Sequence, residues 1–66
     1  MELTATEAAE VLDVTDRTIR YYIEKGMLPA RRRGLRNFAI SLDALREFAT
    51  EQNMVFREDV VKRLAH

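Results

Sequence analysis

Two threonines eleven positions apart, Thr4 and Thr15, limit what the first half of this chain can become. Thr4 opens the run T-A-T-E, in which its hydroxyl can accept from a free N–H of a first helical turn while Glu7 reaches back to Thr4's own N–H. Ala5, Ala8, Ala9 and Leu12, with Val11 beside them, recur at helical spacing, so the pattern predicts a helix over 5–12. Asp13-Val14-Thr15 breaks it, and Thr15, followed at once by Asp16, is a second N-cap. Gly26 stands where a left-handed residue closes a helix and Pro29 follows, which bounds the second helix to 16–25. The chain must therefore start as two short helices joined by about three residues.

That is helix-turn-helix spacing, which many small helical proteins share. The second helix has two faces: Ile19, Tyr22 and Ile23 on one, Arg17, Arg20, Tyr21 and Glu24 on the other. After it, PARRRGLRNFAI predicts a small hairpin. Its first strand covers about 30–32, its tip is Arg33-Gly34, and its second strand alternates Leu35, Asn37 and Ala39 against Arg36, Phe38 and Ile40. Ser41 caps a third helix to about residue 51, with Leu42, Leu45, Phe48 and Ala49 as its apolar stripe. Gln52-Asn53 breaks the chain, and VFREDVVKRLAH predicts a last helix over 56–65 carrying Phe56, Val60, Val61 and Leu64 on one side. The expected fold is mainly α with a small β-hairpin. Residues 1–52 are expected to form a winged helix-turn-helix domain and 53–66 a C-terminal helix or tail that completes the core or self-associates through residues 54–66.

The 66 residues balance 11 basic against 11 acidic side chains, but unevenly along the chain. Residues 1–16 carry five acids and no base, whereas 17–46 carry eight bases and two acids. A neutral total therefore does not exclude a polyanionic partner, although charge blocks are also ordinary solvated surface. There is no Cys and the single His is His66, so thiolate and His-cluster metal sites are excluded. The two glycines stand apart, which excludes a Gly-rich phosphate loop. No nucleophile–base pair emerges, so no enzyme is expected, and no cofactor or small-molecule effector is evident. No apolar run is long enough to span a membrane and no signal-peptide pattern follows Met1, so a cytoplasmic protein is expected.

Double-stranded DNA is the partner these residues fit. A helix enters the major groove with its N-terminal residues at the base edges, and Arg17 and Arg20 lie in the first turn and a half of the second helix. Arginine pairs bidentately with guanine or binds phosphate. Tyr21 shares that face, while Tyr22 groups with the isoleucines and is expected in the core. Thr15 would offer a phosphate a hydroxyl and the free N–H groups of a helix start. Arg31, Arg32, Arg33 and Arg36 would place four guanidiniums on the hairpin for the backbone or minor groove. Plainer roles compete: Glu24 can pair with Arg20, Lys25 can complement the helix dipole, and Arg46 can pair with Asp43 rather than contact phosphate.

The stretch T-I-R-Y-Y-I-E-K-G-M-L-P, Thr18–Pro29, followed by G-L-R-N-F, Gly34–Phe38, resembles the winged helix-turn-helix domain of the MerR family. The layout is equally similar to the small phage and plasmid excisionases that share that fold. The resemblance covers about residues 3–50. It implies that Arg20 and Tyr21 contact DNA from the major groove, that Thr15 and Thr18 face the backbone, and that Arg36 is the wing arginine. It departs at Leu35, where Tyr or His is common, and at Phe38, often Tyr. Residues 51–66 are too short for the long coiled coil of full MerR regulators. The chain is thus either a free-standing bacterial or phage-encoded protein or the DNA-binding part of a longer one, and Met1 is expected to be a native N-terminus. The functions expected are a small transcriptional regulator, an excisionase-type factor that bends DNA, or, in another class, a protein-interaction module using the C-terminal apolar helix.

Overall fold

The computed structural model describes residues 1–35 and 37–65. Its elements run β1 (Glu2–Leu3), α1 (Ala5–Leu12), α2 (Asp16–Glu24), β2 (Arg31–Arg32), β3 (Phe38–Ser41), α3 (Leu42–Glu51) and α4 (Glu58–Leu64). The Thr4 capping box forms as expected. Glu7 N–H donates to the Thr4 hydroxyl at 3.1 Å, and Thr4 N–H donates to the Glu7 carboxylate at 2.9 Å. Ser41 caps α3, accepting from Ala44 N–H at 3.4 Å.

The first three helices stop in the same way. Asp13, Gly26 and Asn53 each take a positive φ, of 58°, 74° and 55°. The residue after each donates back five positions: Val14 to Ala9 at 2.9 Å, Met27 to Tyr22 at 2.9 Å and Met54 to Ala49 at 2.8 Å. This left-handed closure satisfies carbonyls that a helix end would otherwise leave bare. Only the second of the three uses the residue that adopts a positive φ without steric cost.

The sheet is small, antiparallel and ordered β1-β3-β2, with Leu3 opposite Ile40, Arg31 opposite Ala39 and Arg32 opposite Phe38. The expected alternation over 35–40 does not hold. Regular strand begins only at Phe38, and the consecutive residues Ala39 and Ile40 are both buried. A two-stranded ribbon would leave one face wet, but β3 is the central strand and packs against both α1 and α3. The strand β1 that makes it central is two residues long, too short to carry a period.

Leu3, Val11, Leu12, Ile19, Leu28, Ile40 and Leu45 form the deepest part of one core. The tail joins it: Val60 and Val61 are buried, Met54, Phe56 and Leu64 pack at its edge, and α4 lies on α1. The last helix starts two residues later than expected. Arg57 N–H donates to the Val11 carbonyl of α1 at 2.8 Å, which holds Arg57 extended at the helix start. With its apolar residues turned into this core, α4 does not offer the outward docking face that a protein-interaction module would need. Among the described residues no helix is long and apolar enough to cross a membrane.

Candidate nucleic-acid interface

The inward face of α2 fixes the helix rigidly. Ile19 is fully buried and Ile23 packs against the core. The Tyr22 ring lies 5.0 Å from the Phe48 ring, tilted at 53°, a geometry in which aromatic pairs attract. At the helix start the Thr15 hydroxyl accepts from Thr18 N–H at 3.2 Å, and the two hydroxyls lie 3.0 Å apart. The Thr6 hydroxyl donates to the Asp16 carboxylate at 2.6 Å, tying the first turn of α2 to α1. Thr15 and Thr18 thus hold each other at one end of the helix, Thr15 exposed and Thr18 half-buried.

The outward face carries the residues expected there. Arg17, Arg20, Tyr21 and Glu24 are all exposed. Tyr21 is 51% exposed, meets Tyr22 edge-on at 6.0 Å, and has the Lys25 ammonium 5.7 Å from its ring centre. Lys25 therefore steadies Tyr21 as well as occupying the cap position of α2. Among the described residues Arg17, Arg20 and Arg33 form no ion pair. The expected Arg20–Glu24 pair is absent: an exposed pair four residues apart gains only a few tenths of a kcal/mol, and Arg20 instead borders two hollows, one between α2 and the hairpin and one also walled by the start of α1.

The arginine tract of the hairpin does not make one patch. Neighbouring strand residues point to opposite faces, and β2 separates Arg31 from Arg32 accordingly. Arg31 pairs with Glu2 at 2.9 Å. Arg32 stays on the side of its cross-strand partner Phe38, with its guanidinium 5.5 Å from that ring's centre and its Nη1 donating to the Leu35 carbonyl at 3.3 Å. Arg20, Glu24, Arg32, Leu35 and Phe38 line one concavity. Arg36 lies outside the described residues. Arg46 takes neither role expected of it: it pairs with Glu58 of α4 and lies 4.5 Å from the centre of the Phe56 ring, because docking α4 brings both within reach.

Acid is kept out of this concavity except for Glu24. Glu10 pairs with Arg63, Glu7 closes the capping box, and Asp16 is held by Thr6. Asp59 is held below the ordinary carboxylate range by the hydrogen bond from Arg57, at 2.8 Å, and Arg57 is raised by the same bond; both stand at the start of α4, not on α2 or the hairpin. Two neighbours of Arg20 escaped the sequence reading. Thr4 and Asn37 border the same hollow, but one reads as a cap and the other as part of an alternating strand, and no local signal places them beside α2.

A family model described as a helix-turn-helix domain matches residues 2–53, from β1 through the end of α3, and stops ahead of α4. No curated protein and no solved structure matches the chain significantly.

Proposed function

The chain belongs to the helix-turn-helix domain family, and on that premise we propose that it is a small sequence-specific regulator of MerR-like form. Membership of this family supports DNA binding. In this reading α2 enters the major groove while the hairpin lies on the backbone and minor groove. The observation that carries it is the outward face of α2, where Arg17 and Arg20, unpaired among the described residues, are exposed with Tyr21, and Arg20 opens onto the concavity shared with Arg32. Arg20 and Arg17 read guanine edges or clamp phosphate, and Tyr21 lays its ring along the groove. Thr15 and Thr18 face the backbone, and Arg32 and Arg33 hold phosphate from the hairpin. Arg31 contributes less, since it must leave Glu2 first. Arg36 keeps its wing role from the resemblance alone.

The test is Arg20→Ala, measured by titration against a duplex selected from a random pool. The expected loss is about 1–3 kcal/mol of specific binding, with the melting temperature unchanged. Unchanged affinity, or an unfolded variant, rejects α2 as the reader. An excisionase-type factor that bends DNA is the second reading, favoured by the bare apolar tip of the hairpin at Leu35. The selected sites separate the two: inverted repeats fit a symmetric dimeric regulator, direct repeats a head-to-tail array.

A further inference from the structure

We infer that Leu35 is an apolar wedge: on binding, the hairpin tip places it in the minor groove against a base step and bends the duplex there. This rests on the DNA-binding reading above and adds to it a residue and a deformation. Leu35 is 91% exposed, well beyond the other exposed large apolar side chains, of which Tyr21 still leans on Tyr22. It follows Gly34, whose φ of +122° turns the chain at the tip.

The tip is braced. Arg32 folds under it, donating to the Leu35 carbonyl at 3.3 Å while its guanidinium lies over Phe38. Arg33 N–H closes the base of the loop on the Asn37 carbonyl at 2.8 Å. Phe38 in turn packs against the core. The leucine is thus presented on a supported loop, on the concavity that also holds Arg20 of α2.

Its surroundings say what it meets. Arg32 and Arg33, both exposed beside the tip, bring positive charge for phosphate, but a leucine gains nothing from phosphate. The apolar surfaces of a duplex are its stacked base faces and the sugar walls of the minor groove. Apolar side chains placed there partly unstack a step and kink the duplex by roughly 20–90° towards the major groove. Pyrimidine–purine steps yield most readily, so the step beneath the tip is of that kind.

The test uses the full chain and a duplex selected from a random pool, with a fluorescent donor and acceptor at its ends. Wild-type protein shortens the end-to-end distance. Leu35→Ala loses most of that shortening, while affinity falls by less than about tenfold and the melting temperature stays unchanged. Leu35→Phe keeps the bend. An unchanged bend in Leu35→Ala, as expected if the tip docks on protein instead, overturns the wedge and leaves the DNA reading standing. So does a wild-type complex whose duplex remains straight. Failure of the wild-type chain to bind any duplex at low salt overturns the DNA reading, and the wedge with it.

Discussion

Tyr21 and Tyr22 are adjacent and chemically identical, yet α2 divides them. A step of about 100° turns Tyr22 towards Phe48 and leaves Tyr21 at the surface beside Arg20. Their substitutions are expected to separate stability from binding. Tyr22→Ala removes a ring packed on the core and lowers stability by about 2–4 kcal/mol, read by chemical denaturation. Tyr21→Ala changes stability by less than about 1 kcal/mol but weakens binding to the selected duplex. Equal losses of stability would mean that both rings serve the core. This division was legible in the sequence, because a helical wheel needs only the period and one anchored face. The fate of Arg31 was not: its partner Glu2 is twenty-nine residues away, and no local pattern announces a pair across two strand edges.

At the scale of elements, the common left-handed closure of α1, α2 and α3 sets where the chain turns. Asp13 accepts a positive φ at a steric cost that Gly26 avoids. Asp13→Gly is therefore expected to raise stability by about 0.5–1 kcal/mol, and Gly26→Ala to lower it by about 1 kcal/mol, both measured by thermal melting. The same sign for both changes would show that the closures are not governed by backbone strain. The starts of α1, α2 and α3 were readable because capping is a local bargain between a side chain and the first turn. The start of α4 was not, since Arg57 is held by a carbonyl of α1 rather than by a side-chain cap of its own. The hairpin was legible as basic and turn-forming, but its second strand was misread because burial on both sides depends on β1 and two helices.

For the whole molecule, a net charge of zero conceals a proposed interface from which most acid is withdrawn into caps and ion pairs. Binding should still be salt-dependent, with each phosphate-bound arginine adding roughly 0.9 to the slope of log affinity against log salt. Arg33→Ala is expected to reduce that slope by about one unit, whereas Arg31→Ala reduces it less, because Arg31 already has a carboxylate partner. Equal slopes for both variants would place the two arginines in the same role. By itself the sequence determined the capped helices, the two faces of α2 and the basic turn after it, since each follows from the period of a helix or from the chemistry of a single turn. Tertiary structure alone decided that β3 is central, that α4 closes the core, that Arg46 is taken by Glu58 and Arg31 by Glu2, and that Arg20 meets the hairpin. Each of these depends on residues far apart in the chain, brought together only once the core around Ile19, Ile40 and Leu45 has formed.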